Sequence, residues 1–269
     1  MTAIDLGQVR EIIQSSRHEY YEQEQCRVSC EGSLRMSIDD LFARVCGEGS
    51  RVLDIGCGNA HTLIRNASRF GEGVGLDNHP PHLRLAERNV AAAGVTNIRV
   101  VEGRGDSLPF ETGSFDFVFS ERGPVAGSDV NTFNAARVLR EGGTMLIETP
   151  GAWNYFEPGY IFQPSKIPIH SVSATAKLEY LSAVMSRNGI DVQLAASHLQ
   201  RWVFEDVYEW LKWHMSAWDY YESWRLTWPL SDEHVHGLGR LLAMCADESG
   251  RVRATSHRLW IAGVKRRGR

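Results

Sequence analysis

Asp54, Asp77 and Glu121 each stand at the end of a short apolar run, and the first is followed almost at once by Gly56-Cys57-Gly58. A carboxylate at such a point can hold an ammonium, accept from hydroxyls or take up a proton. Glycines in the turn allow positive φ and let a ligand approach with no Cβ in its way. Asp77 closes the next run, where an acid can accept from both hydroxyls of a ribose. These are parts of a small-ligand site. A G-x-G turn alone suits nicotinamide, flavin or adenosyl groups. The third glycine of the dinucleotide fingerprint is missing, and His61 stands in its place.

The elements that must carry these residues alternate. Val52, Leu53 and Ile55 read as a buried strand, and Leu63, Ile64, Ala67 and Phe70 as a helix that stops at Gly71. Gly73–Asp77 is a second strand. Pro80 and Pro81 then open a helix that carries Leu83, Ala86, Val90 and Ala93 inward and closes at Gly94. Further strands fall at Ile98–Val101, Phe115–Phe119 and Thr144–Ile147, with a helix over Asp129–Arg140. This rhythm predicts parallel βαβ units in a doubly wound sheet, with a ligand at the carboxyl ends of the strands.

Two regions break the rhythm. Residues 1–46 hold a polar amphipathic helix, about Val9–Gln25, and a second helix leading into the first strand. Residues 202–228 hold six tryptophans, three tyrosines and Phe204, followed by a helix over Ser231–Asp247 and a last strand, His257–Val264.

Bulk properties exclude several classes. The net charge of −4 over 269 residues argues against a nucleic-acid footprint, and the basic tail Lys265, Arg266, Arg267 and Arg269 reads as a frayed, solvated end. Five scattered cysteines make no disulfide scaffold, and Cys26 and Cys30 have no second pair to complete a metal site. His234 and His236 would point apart on a helix, so no metal is expected. With no long apolar run and no signal-like start, a cytoplasmic protein without membrane contact is expected.

The stretches GDSLPFETGSFDFVFS (105–120) and ARVLREGGTMLIETP (136–150), taken with VLDIGCGNA (52–60), decide among the ligands. In these the chain resembles a class I S-adenosylmethionine-dependent methyltransferase, over about residues 45–150. It departs in having Glu141 where that family usually has proline, and Asn59-Ala60 where glycine often sits. The resemblance implies a Rossmann-like seven-stranded sheet with the last strand antiparallel. It implies a methyltransferase domain over 34–269, with 202–250 inserted between the last two strands to cover the substrate, and residues 1–33 as an N-terminal helical lid. S-adenosylmethionine is the implied cofactor. Asp54, Gly56 and Gly58 would meet its methionine end, Asp77 the ribose, and Asn78 the adenine. Asp106 would meet the adenine amino group, Ser107 would supply backbone contacts, and Ser120 would face the sulfonium and its methyl.

On the acceptor side, Glu121 could act as a base or bind a cation, and Arg122 could bind a carboxylate or phosphate. His170 is a second candidate base, and His198 a third. Glu148 and Thr149 should reach the rim of the acceptor pocket, and Trp153, Tyr155, Phe156 and Tyr160, with Tyr20 and Tyr21 from the lid, could line it. The implied reaction is in-line methyl transfer to a nitrogen or oxygen of a small molecule, possible in secondary metabolism. An RNA methyltransferase and a non-methylating adenosylmethionine-binding protein are the alternatives. The methylated atom and the oligomeric state stay open. If residues 9–25 close over the cofactor, their hydrogen exchange should slow on adding adenosylhomocysteine; equal rates with and without ligand would make the segment a tail or an oligomer contact.

Overall fold

The computed structural model describes residues 4–15, 28–31, 37–151, 173–216 and 231–268. In chain order the elements begin with α1 (Leu6–Ser15), β1 (Val28–Glu31), α2 (Ile38–Val45), β2 (Arg51–Ile55) and α3 (His61–Arg65). They continue with β3 (Glu72–Asp77), α4 (Pro80–Ala92), β4 (Ile98–Glu102), β5 (Phe115–Glu121), α5 (Asp129–Val138) and β6 (Leu139–Pro150). The last are α6 (Ala174–Arg187), β7 (Ile190–Phe204), α7 (Val207–Ser216), α8 (Asp232–Cys245) and β8 (Val252–Lys265). The chain divides into two compact units.

The larger unit comprises residues 34–152, 172–198 and 257–269. Its strands run in the order β4-β3-β2-β5-β6-β8-β7. Strands β2 to β6 pair in parallel, and β8 is antiparallel to β6. This is the expected seven-stranded, Rossmann-like sheet. Its central strands are covered on both faces, so they read as nearly continuous apolar runs. One face buries Leu53, Ile55, Val74, Leu76 and Val118. The other buries Val52, Phe117, Phe119 and Trp260 under Phe42 of α2. Ser37 and Asp40 start α2 with a capping box, and Phe42 meets Phe117 and Phe119 edge-on at 5.0 and 5.4 Å.

Three local readings change. The helix expected through Phe70 ends at Arg65 and resumes as a single 3₁₀ turn, Ala67–Arg69. Asn66 interrupts it: its side-chain amide is drawn to Asp39 Oδ1 (2.7 Å) and Thr62 O (3.0 Å). In α4, Ala93 is an exposed cap residue and Leu85 is buried instead, because the helix ends at Ala92 before left-handed Gly94. The basic tail is not frayed in its described part. Lys265 Nζ donates to Ala136 O (2.7 Å) and Leu139 O (2.6 Å), closing the carboxyl end of α5, and Arg266 donates to Ser186 O (2.6 Å).

The second unit draws on residues 1–33, 153–171 and 199–256. The two regions outside the βα rhythm therefore share one core. Val9, Ile12 and Ile13 of α1 are buried with Trp210 and Leu211 of α7 and Leu238 and Leu242 of α8. Asp5 caps α1 through Gly7 N (2.8 Å) and Gln8 N (3.1 Å), which sets its start ahead of the expected Val9. The described tryptophans of the aromatic stretch pack inward, Trp202 against Trp213 edge-on at 5.4 Å. β1 pairs antiparallel with residues 201–204 of β7, an added strand with no counterpart in the sequence reading. No helix among the described residues is long and apolar enough to cross a membrane.

Phe42 fixes α2 to the sheet, so Phe42→Ala should cost about 3–5 kcal/mol of unfolding free energy. Denaturant unfolding at an unchanged m-value checks it; a loss below 1 kcal/mol would mean that α2 is not a core element.

Candidate active site

The turn after β2 is built around one carbonyl. Gly56 N and Cys57 N both donate to Leu76 O, at 2.7 and 3.0 Å, which ties the turn to β3. Gly56 has φ +83°, and a Cβ there would meet Pro124 Cδ at 2.8 Å. Gly58, at φ +52°, has nothing within 4 Å of a built Cβ. One glycine is therefore a packing requirement, and the other leaves open space beside the acids. Ala60 follows at φ 59°, the left-handed conformation that explains why glycine suits this stretch in the family resembled. Arg122, at φ 56° after β5, is the other such non-glycine residue among those described.

Three carboxylates influence one another at these strand ends. Asp77 Oδ2 accepts from Gly58 N (3.0 Å), and Oδ1 from His79 N (2.9 Å). His82 Nδ1 lies 3.4 Å from Oδ2. Burial would push the Asp77 carboxyl up, but His82 and the two amides together hold it below the usual range. Asp54 is 4% exposed, and its Oδ1 is buried with no hydrogen-bond partner. Burial first, then the charges of Glu121 and Asp77, push its carboxyl well above the usual range. Glu121 Oε2 accepts from Thr62 Oγ1 at 2.6 Å. Burial and the neighbouring Glu148 raise it, while Thr62, Arg122 and Arg65 pull the other way. A buried carboxylate oxygen without a donor, beside a second acid and an open glycine, is a receptor for a cation with hydroxyls. The ammonium, ribose and sulfonium of S-adenosylmethionine fit that donor set.

Other expected site residues have other partners. Asp106 is forked to Arg104 (Nη2–Oδ2 2.6 Å, Nε–Oδ1 3.0 Å), and that pairing holds its carboxyl low. Ser107 N closes a turn onto Arg104 O at 3.1 Å, so this amide is already engaged. Ser120 is buried, and its hydroxyl donates to Ile55 O at 2.7 Å, latching β5 to β2. Its one proton is thereby committed within the sheet. Asn78 is exposed beyond Asp77, and Arg122 N donates to Glu148 O at 2.9 Å. His198 stands edge-on to Trp260 at 5.8 Å. His170, Trp153, Tyr155, Phe156, Tyr160, Tyr20 and Tyr21 lie outside the described residues.

Glu148 and Thr149 stand at the same strand ends, as expected for the pocket rim, but the partners that engage them, and the His257–Ser197 pair beside them, escaped sequence reasoning. Glu148 is paired with Glu121 in register across β5 and β6. It is buried, accepting from Trp260 Nε1 (2.8 Å) and pairing with Arg258 Nη1 (3.2 Å). Thr149 accepts from Lys177 Nζ at 3.0 Å, and His257 Nε2 lies 2.8 Å from Ser197 Oγ. The available signal was an acid inside the run MLIE and a cation inside SHRLWI, 110 residues apart. Only the antiparallel pairing of β6 with β8 joins them.

A family model described as a methyltransferase domain matches residues 52–143. A methyltransferase of Bacillus subtilis, YcgJ, is 28% identical over 62% of this chain and 66% of its own length. The crystal structure of YcgJ covers 85% of this chain and 97% of that one with a TM-score of 0.58 at 22% identity, which is likeness of fold. Demethylmenaquinone methyltransferase of Geobacillus kaustophilus is 31% identical over 48% of this chain and 58% of its own length. The chain thus spans less than two thirds of these curated relatives. The [4+2]-cyclase SpnF shares the fold at a TM-score of 0.57 and 15% identity, over 97% of this chain and 93% of that one.

If Asp54 receives a cofactor ammonium, its unpartnered oxygen makes that binding pH-dependent in a defined direction. Its raised pKa means the free protein keeps the proton into the range where a normal aspartate has lost it. A bound ammonium favours the ionised form, so binding should release a proton and weaken as pH falls below that raised value. Calorimetry with adenosylhomocysteine in buffers of different ionisation heat should show the release, and Asp54→Asn should abolish it. Equal enthalpies in all buffers with the unaltered protein would count against the assignment.

Proposed function

We propose that this chain is an S-adenosylmethionine-dependent methyltransferase acting on a nitrogen or oxygen of a small molecule. The observation that carries the reading is the buried, donor-less oxygen of Asp54 beside Asp77 and the open Gly58. When bound, S-adenosylmethionine supplies a methyl group on a positively charged sulfur. Asp54 would hold its ammonium, with Gly56 and Gly58 shaping the turn, and the buried, amide-fixed Asp77 would accept from the ribose hydroxyls. Asn78, Asp106 and Ser107 would border the adenine. Ser120 would serve by keeping β5 and β2 in register.

Methyl transfer is in-line displacement, so fixed positions supply most of the acceleration. Glu121 is fixed by Thr62 at 2.6 Å, and Glu148 across the strand makes it more basic. It would take the proton that an N–H or O–H acceptor must lose. A small-molecule acceptor is supported by the relative named for demethylmenaquinone. The RNA reading rested on the basic tail, and two of its four cations, Lys265 and Arg266, are spent on main-chain carbonyls.

The protein should form adenosylhomocysteine from S-adenosylmethionine and a nuclease-treated metabolite extract. No turnover with any fraction would favour a binding protein or a non-methylating enzyme instead. On the acceptor so found, Glu121→Gln should lower turnover about a hundredfold while changing cofactor affinity less than about twofold. Full turnover per folded molecule with a lowered Tm would return Glu121 to the scaffold.

A further inference from the structure

Lys177 is a cation held by neutral oxygens. It lies near the start of α6, and its Nζ donates to Thr149 Oγ1 and Pro150 O, each at 3.0 Å, at the carboxyl end of β6. An ammonium has three hydrogens, and these contacts use two. No carboxylate pairs with it among the described residues. The acids nearby in sequence do not help. Thr149 follows Glu148 on the strand, so the two side chains leave opposite faces of the sheet. Glu148 is already matched by Arg258 and Trp260. Burial pushes the Lys177 ammonium below its usual value, as an unbalanced charge should be.

His257 shares this side of the sheet. It is buried, its Nε2 lies 2.8 Å from Ser197 Oγ, and a Cβ on Gly151 would strike its ring. Burial and the charge of Lys177 hold its imidazole below the ordinary range, so it is neutral at pH 7. Ser197, an exposed residue whose hydroxyl meets His257, completes a patch of one cation and neutral polar groups. Such a patch recognises an anionic oxygen, and it lies where open α/β sheets bind ligands.

We propose that Lys177, pinned by Thr149 and Pro150 with His257 and Ser197 beside it, is an anion-recognition point of the acceptor site, so that the methyl acceptor carries a carboxylate or a phosphate. The word acceptor rests on the methyltransferase reading; the anion site itself does not. An alternative role is a strut that ties α6 to β6.

The full chain has four lysines, at 166, 177, 212 and 265, few enough for assigned ¹⁵Nζ NMR. With the protein loaded with adenosylhomocysteine, benzoate, phenyl phosphate and neutral benzamide are titrated in turn. At least one anion should shift the Lys177 signal saturably and raise the pKa of both Lys177 and His257, and benzamide should do neither. Which anion does so separates carboxylate from phosphate. Lys177→Met should weaken anion binding at least tenfold with cofactor affinity unchanged, and Lys177→Arg should retain it within about threefold. A Lys177 signal unmoved by both anions, or moved equally by benzamide, would overturn the proposal. So would anion binding of full strength in Lys177→Met. Should that variant not fold, the unaltered protein and Lys177→Arg still decide. Adenosylhomocysteine affinity is read separately, so a failed anion site leaves the methyltransferase reading standing.

Discussion

The amide protons of Gly56 and Cys57 converge on the carbonyl oxygen of Leu76, and the rest of the site depends on that convergence. It holds the turn after β2 against the end of β3, one residue before Asp77. Asp77 in turn accepts from Gly58 N, so the loop and the acid fix each other. Pro124 and Gly123, leaving β5, close on Gly56 from the other side, where a side chain would not fit. Three strand ends are thereby locked at one point, which is what a site needs if its acids are to stay in place without a ligand.

Charge at this point is deliberately uneven. Asp77 is satisfied by amides and Glu148 by Arg258 and Trp260, while Asp54 has an oxygen with no donor. Ionising a buried carboxyl in that state is costly, so it holds its proton until a donor or a cation from outside compensates the charge. The same logic applies on the opposite face, where Lys177 is held by neutral oxygens. Each imbalance is local because the strand pleat sends successive side chains to opposite sides. Acid and base at β6 therefore do not cancel each other.

The second unit follows a different principle. The N-terminal helix is short and polar, yet Val9, Ile12 and Ile13 find a buried surface among α7 and α8. Neither segment has enough apolar area to stand alone. Their association also accounts for several aromatics of the insertion as core. The fold serves a [4+2]-cyclase as well as methyltransferases, so the reaction must be argued from the residues at the strand ends and not from the architecture.

Local sequence was enough for the βα rhythm, the glycine turn and the acids at the ends of β2 and β3. Each depends on neighbours within a few residues: a run of apolar side chains, a positive φ, or an acid closing a strand. The same is true of the capping box at Ser37 and Asp40. Asn66 already shows the limit, because its break in the helix comes from Asp39, 27 residues away. Tertiary structure alone decided which hydroxyls and cations were spent. Ser120 is bound to Ile55, Asp106 to Arg104, and Lys265 to the end of α5. Glu148 meets Arg258, and Lys177 meets Thr149, only because β6, β8 and α6 are brought side by side from distant parts of the chain. A side chain's type states what it can donate or accept; whether that capacity is already used depends on partners that sequence spacing does not encode.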